Sequence, residues 1–153
     1  MEKPLCPETG TPMERGTQAL TLTYKGQSLE LEMPGWYCSE CGEGIHSGAD
    51  MKHSDRALNR LKAQAEGLLT PEEVKKIRKK LSLTQADAGM LIGGGPRAFQ
   101  KYESGDLLPS RGIHSALLLL ESKPEGLRLL RERNASTASS TSPGNALFAK
   151  PRK

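Results

Sequence analysis

Residues 17–24 alternate apolar and polar side chains, with Ala19, Leu20, Leu22 and Tyr24 supplying the bulk. Residues 27–33 alternate more cleanly, placing Leu29, Leu31 and Met33 on one face and Ser28, Glu30 and Glu32 on the other. With Lys25-Gly26 between them, the two runs predict a β-hairpin. Pro34-Gly35 is expected to end the second strand and deliver Trp36-Tyr37-Cys38. The period changes after residue 49: Met51, Ala57, Leu58, Leu61 and Ala65 recur at helical spacing until Gly67 breaks the run. Thr70-Pro71-Glu72-Glu73 opens the next helix with a cap, a proline and two early carboxylates. Its buried stripe is Val74, Ile77 and Leu81, surrounded by Lys75, Lys76, Arg78, Lys79 and Lys80.

Residues 83–105 read as two short helices joined by a glycine turn. Thr84 can cap the first helix, and Gln85 opens it, placing an amide where a phosphate could be reached. Ala86, Ala88, Leu91 and Ile92 give it a small apolar face. Gly93, Gly94 and Gly95 permit the sharp turn, and Pro96 suits the first turn of the second helix. There Arg97, Gln100 and Lys101 share an outward face, Ala98, Phe99 and Tyr102 turn inward, and Gly105 ends the run. A fourth helix spans residues 109–122 with Ile113, Ala116, Leu117 and Leu120. A fifth starts at Pro124-Glu125 and carries Leu127, Leu129 and Leu130. Five helices between 70 and 133 fit one compact all-α domain.

Any helical bundle contains such pairs, and charged surface positions are usually only solvated. The Thr-Gln start, the small Ala88 and the sharp turn into an Arg/Gln/Lys helix nevertheless resemble the Xre-like, or lambda-repressor-like, helix-turn-helix family. Arg97 at the start of the second helix can bond guanine bidentately, with Gln100 and Lys101 one turn later on the same side. Gln85 is placed for a phosphate contact. Lys79 and Lys80 have two readings, backbone contacts or a solvated face. One such domain reads only a few base pairs, so specificity calls for a dimer on half-sites about 34–36 Å apart.

Composition separates the two halves. At 153 residues, with 35% hydrophobic and 4% aromatic content, one large core is not expected. Residues 1–66 carry 7 Lys/Arg against 10 Asp/Glu, a balance of −3, whereas residues 67–133 carry 12 against 8, a balance of +4. Different partners are therefore expected for an N-terminal domain of residues 1–66 and a C-terminal domain of residues 67–133. Residues 134–153 turn to Ser, Thr, Ala, Pro and Gly and read as a disordered tail. No apolar run approaches the roughly 20 residues of a membrane span, and no secretory signal is evident. A cytoplasmic location follows, where cysteines stay reduced and more often bind metal than pair.

Cys38-Ser39-Glu40-Cys41 is half of a tetrahedral zinc site at the end of the hairpin. Its complement would lie near Cys6, but Cys6-Pro7-Glu8-Thr9 has Thr where a fourth cysteine belongs. A threonine hydroxyl is hard to deprotonate and makes a poor zinc ligand. Two readings stay open: zinc on three thiolates plus Glu8, His46 or water, or a remnant in which Cys6, Cys38 and Cys41 are simply buried near Trp36. His53 and His114, on helices with no cysteine or carboxylate cluster around them, are expected at the surface.

Taken in order, Cys6-Pro7, the hairpin into Gly35-Trp36-Tyr37-Cys38-Ser39-Glu40-Cys41, the run from Val74-Lys75-Lys76-Ile77 to Leu83-Thr84-Gln85, and Gly93-Gly94-Gly95 with Ala98-Phe99 and Tyr102-Glu103 resemble the MqsA-family antitoxins over roughly residues 5–131. That family joins a YgiT-type zinc-finger N-domain to an Xre-like C-domain. The resemblance implies an α+β, zinc-ribbon-like N-terminal domain of hairpin plus helix, followed by an all-α, five-helix, lambda-repressor-like domain. It further implies a type II antitoxin that neutralises a small ribonuclease toxin through the N-domain. The C-domain would bind double-stranded operator DNA and repress the operon as a homodimer. Zinc on four cysteines is implied too, matching Cys6, Cys38 and Cys41 with Thr9 at the fourth position. The family's base-reading positions fall on Arg97 and Lys101, where it often carries Asn and Arg, so a different operator sequence is implied. Two other functions compete: a free-standing Xre-like regulator without a toxin, and a zinc metalloenzyme using open coordination. The second lacks a placed general base, so no catalytic residue is assigned.

Overall fold

The computed structural model describes residues 2–140. They form two compact units, one from the residues up to 72 together with 101–108, the other from 73–100 and the residues from 109 on. Among the described residues no helix is long and apolar enough to cross a membrane.

In the first unit the alternating runs pair as expected. Strand β1 (Glu14–Tyr24) lies antiparallel to β2 (Gln27–Tyr37), in register from Tyr24 opposite Gln27 to Glu14 opposite Tyr37. Lys25 at φ 47° and Gly26 at φ 80° form a two-residue turn in which both central residues are left-handed, the geometry that matches strand twist. A short β3 (Gly44–Ile45) pairs with the end of β2, giving the order β1-β2-β3.

The second strand does not stop at Pro34-Gly35 but runs on to Tyr37. The register explains the tolerance. Tyr24 and Gln27 flank the turn as a hydrogen-bonded pair, so Pro34 opposite Thr17 falls on a non-hydrogen-bonded pair. Its missing N–H therefore faces away from β1, and on that side β3 reaches only Trp36 and Tyr37. Gly35 has a different reason to be there: a Cβ would lie 2.6 Å from His46 Nδ1.

Helix α1 (Gly48–Glu66) packs against β1 and β2. Ser47 caps it in a reciprocal box: Asp50 N–H donates to Ser47 Oγ at 3.2 Å, and Ser47 N–H donates to Asp50 Oδ2 at 2.8 Å. Gly67, at φ 70°, ends it, with Leu68 N–H donating to Ala63 O at 2.8 Å. The buried stripe departs from the apolar periodicity. Asp50, Ser54, Leu61 and Ala63 are buried while Met51 is 46% exposed. Asp50 is inside because Arg15 of β1 meets it with both guanidinium nitrogens, Nη1 donating to Oδ2 at 2.9 Å and Nη2 to Oδ1. The same guanidinium carbon lies 5.8 Å from the centroid of Trp36. At the hairpin tip, Tyr24 Oη donates to Glu66 at the end of α1. Farther along α1, Arg56 Nε donates to Asp106 Oδ1 at 2.7 Å and Asn59 Nδ2 to Gly105 O at 2.9 Å.

Five helices follow: α2 (Pro71–Lys80), α3 (Gln85–Ile92), α4 (Ala98–Ser104), α5 (Arg111–Ser122) and α6 (Gly126–Ser140). The α+β-then-all-α order read from the periodicities is the order observed. Val74, Phe99 and Leu117 are fully buried in the second unit, with Ile77, Leu81 and Leu83 close behind. Ser110 caps α5, its Oγ accepting from Ile113 N–H at 3.2 Å. Arg78 does not join the solvated lysines around α2. It is buried and donates from Nη1 to Leu83 O at 2.8 Å, holding the turn after α2, where Ser82 takes a positive φ of 60°. α6 passes Asn134 and continues to Ser140, since Ala135, Ser136 and their neighbours include no helix breaker. The rest of the expected tail lies outside the described residues.

Arg15 and the Ser47 N–H hold the Asp50 carboxyl far below its ordinary value, against the cost of burial. A carboxyl depressed on folding stabilises fully above its unfolded value of about 3.9 and loses that contribution as pH falls through the folded value. Asp50→Asn keeps the capping geometry and removes the charge. In denaturant titrations of the full chain, the wild type should exceed Asp50→Asn by a constant margin above about pH 4 and by a shrinking one in more acid solution. An unchanged margin down to about pH 2 would remove the charge from the account.

Candidate functional site

The two cysteine segments fold into the same loop. Cys6 N–H donates to Thr11 O at 2.8 Å, and Gly10 N–H returns to Cys6 O at 2.8 Å. In the second loop, Cys38 N–H donates to Glu43 O and Gly42 N–H to Cys38 O, both at 2.9 Å. Gly10 at φ 75° and Gly42 at φ 80° turn each loop back through the left-handed region. Cys6-Pro7-Glu8-Thr9-Gly10 and Cys38-Ser39-Glu40-Cys41-Gly42 are thus one backbone pattern used twice. Thr9 stands where the second loop has Cys41. The glycine four residues after each leading cysteine was the sequence signal for this pairing, and the cysteine spacing alone does not reveal it.

The loops bring Cys6, Cys38 and Cys41 together with sulfurs within 4.8 Å of one another, Cys6 and Cys41 at 3.5 Å. Tetrahedral zinc with Zn–S near 2.3 Å needs sulfurs about 3.8 Å apart, so the three thiols could hold such an ion. Cys6 and Cys38 are buried against Met13, Trp36 and Ile45, while Cys41 is exposed. Thr9 Oγ1 lies 3.4 Å from Cys38 Sγ and also accepts from Thr11 N–H at 3.3 Å. Its hydrogen bond, helped by the Cys41 backbone, lowers the Cys38 thiol to about 6 in spite of burial. At Cys41 the Glu43 backbone pulls the value down, but crowding by the other two sulfurs and desolvation outweigh it, and the thiol is raised.

Among the described residues no histidine or carboxylate joins the three thiols. Glu8 is exposed. His46 is occupied elsewhere: its Nδ1 lies 2.9 Å from Pro34 O, and its ring meets Tyr37 edge-on at 5.7 Å. Of the other two, His53 is at the surface as expected. His114 is not, being 8% exposed on the buried side of α5. It follows Ile113 and precedes Leu117 by three residues, so helical spacing turns it inward.

Around the glycine turn, Thr84 Oγ1 accepts from Asp87 N–H at 3.1 Å and fixes the start of α3 at Gln85. Gly93, Gly94 and Gly95 all have positive φ, at 138°, 98° and 94°. Gly89, unremarkable in the sequence, sets the closeness of the turn. Gly95 N–H donates to Gly89 O at 3.2 Å, and a Cβ on Gly89 would lie 1.8 Å from Gly95 O. Gly89 and Ala88 are the buried residues of α3, whereas Ala86 is exposed and not part of its apolar face. α4 begins at Ala98, so Pro96 and Arg97 belong to the turn before it.

Arg97, Gln100 and Lys101 are exposed, Gln85 is half-buried, and Ala98, Phe99 and Tyr102 are buried. Gly105, at φ 89°, follows α4, with Asp106 N–H donating to Lys101 O at 3.0 Å. Lys79 is exposed, and Lys80 Nζ lies 3.6 Å from a Glu121 carboxylate oxygen.

A family model described as the antitoxin component of a bacterial toxin-antitoxin system, MqsA, matches residues 1–131. The chain belongs to the MqsA antitoxin family. It is similar to Antitoxin MqsA of Escherichia coli (strain K12), with 33% identity over 136 residues, 86% of this chain and 100% of that protein. The match runs through both cysteine loops, the hairpin and the glycine turn, so the residues that carried the resemblance lie within the matched span.

The Gly89 contact is with backbone, which cannot swing aside. Gly89→Ala should therefore destabilise the full chain by about 1–3 kcal/mol, the cost of forcing an extra carbon into a packed contact. Chemical denaturation checks this, and a loss below about 0.5 kcal/mol would mean the turn opens freely.

Proposed function

We propose that this MqsA-family antitoxin neutralises a small ribonuclease toxin through residues 1–66 and represses its own operon through residues 67–133. It acts in the cytoplasm, and its role is regulatory rather than catalytic. The observation that carries the reading is the family match across residues 1–131 together with the exposed Arg97, Gln100 and Lys101 after a capped α3 and a glycine turn.

In this reading Arg97 reaches base edges and can bond guanine O6 and N7, while Gln100 and Lys101 extend the contact by one turn. Gln85, at the first position of α3, takes a phosphate and fixes register without reading sequence. Lys79 is free to add a backbone contact, whereas Lys80 would first have to leave Glu121. The acidic balance of residues 1–66 suits a basic ribonuclease partner.

Exposed Leu118 and Leu119 on α5 and Leu129 on α6 support a homodimer formed by the C-terminal residues. Two copies would read half-sites about 34–36 Å apart. Thr9 favours a second reading, a free-standing Xre-like regulator that has lost its toxin. Tagged antitoxin expressed with the neighbouring gene separates the two: a small basic ribonuclease should copurify with it under the first reading and not under the second.

Arg97 is exposed and outside the core, so Arg97→Ala should leave the circular dichroism spectrum unchanged. It should weaken operator binding by about 1–3 kcal/mol in a gel shift at fixed salt. Unchanged affinity would take Arg97 out of the DNA contact.

A further inference from the structure

The twin loops leave three thiols and one hydroxyl at four equivalent corners, and the corner with the hydroxyl faces solvent. Pro7, Glu8, Thr9 and Gly10 are all exposed, in contrast to the buried Cys6 and Cys38. Thr9 Oγ1 is already committed, lying 3.4 Å from Cys38 Sγ and accepting from Thr11 N–H. A neutral hydroxyl is a weak zinc ligand, because zinc in closed structural sites takes thiolate, imidazole or carboxylate. No such group among the described residues stands beside the three sulfurs, and the nearby imidazole of His46 is turned to Pro34 O.

We propose that this centre binds zinc through Cys6, Cys38 and Cys41 alone, with the fourth position open to an exchangeable monodentate donor from solution, and that Thr9 is the residue that keeps it open. Three sulfurs are sufficient to hold the ion against a core of Met13, Trp36 and Ile45. The exposed loop then admits water in the fourth position, or a small thiol in its place. A soft thiolate donor is the preferred occupant, since the other three ligands are thiolates and zinc accepts sulfur readily. The site differs in this way from a closed four-thiolate centre, which has no room for exchange.

Cobalt(II) serves as the spectroscopic probe in the full-length protein, under anaerobic conditions with all three thiols reduced. Addition of 2-mercaptoethanol should strengthen and shift the sulfur-to-cobalt charge-transfer bands of the wild type in a saturable manner. Thr9→Cys should bind zinc at least about tenfold more tightly in chelator competition, and its cobalt spectrum should not respond to the added thiol. Thr9→Val, which keeps the volume without the hydroxyl, should retain one zinc per chain. A wild-type cobalt spectrum indifferent to 2-mercaptoethanol would overturn the proposal, as would loss of zinc from a folded Thr9→Val protein. Failure of the reduced wild type to bind either metal would overturn it too. If Thr9→Cys does not fold, the wild-type titration decides the matter by itself.

Discussion

The N-terminal unit depends on the carboxylate of Asp50. It closes the capping box of α1 through the Ser47 N–H and receives both nitrogens of the Arg15 fork from β1. The Arg15 guanidinium in turn lies near the face of Trp36, which packs with Ile45 against Cys6, Met13 and Cys38. One buried carboxylate thereby couples helix start, sheet and cysteine core. A unit so poor in large apolar residues has few other means of fixing its helix to its sheet. Charge-assisted, bidentate geometry gives direction where apolar packing would give only proximity. Removing Arg15, itself partly exposed, would leave the buried Asp50 carboxylate without its charged partner, the costlier side of breaking such a pair.

This dependence also shows where sequence patterning succeeds and where it does not. The hairpin was legible because residues 17–24 and 27–33 alternate with Lys25-Gly26 as a turn between them. The helices were legible from the cap at Thr84 and from their apolar spacing. The inner face of α1 was not, because two of its buried positions, Asp50 and Ser54, are polar. A period count reads them as surface and substitutes the exposed Met51. Arg78 fails for the same reason. Its charge suggests solvent, but its guanidinium supplies the donor that the Leu83 carbonyl needs. Buried polar groups chosen for a partner leave no trace in hydrophobic periodicity, since the partner lies far away in the chain or on its backbone.

Glycines divide in a similar way. Gly93, Gly94 and Gly95 announce a turn by their number. Gly89 sits inside a helix, where glycine is ordinarily unfavourable, and the reason appears only in the folded chain. Its missing side chain lets Gly95 bring a carbonyl against α3, which determines how α4 leaves the turn. Pro34 is the converse case. It reads as a strand terminator, yet hydrogen-bond phase counted from the turn puts its absent N–H on the side where none is needed. The phase follows from the turn type, so this part was recoverable in principle from Lys25-Gly26.

The cysteine centre combines both lessons. Cys38-x-x-Cys41 was legible as half a metal site, and Thr9 as the break in the other half. What spacing could not convey is that the loop around Thr9 keeps the full hydrogen-bond pattern of its twin. Loop shape here is held by backbone bonds and by Gly10 and Gly42, not by the identity of the fourth side chain. Thr9 adds to that support, because its hydroxyl engages both Cys38 Sγ and Thr11 N–H. The substitution therefore separates two properties that a cysteine would have joined. The hydroxyl hydrogen-bonds within the loop, and it offers no fourth thiolate beside the other three. Since Met13 is fully buried beneath the sulfurs, the apolar backing of the centre is likewise independent of the fourth ligand. Loop shape thus rests on backbone bonds with Gly10 and Gly42, while the side chain at residue 9 decides whether a fourth thiolate is offered.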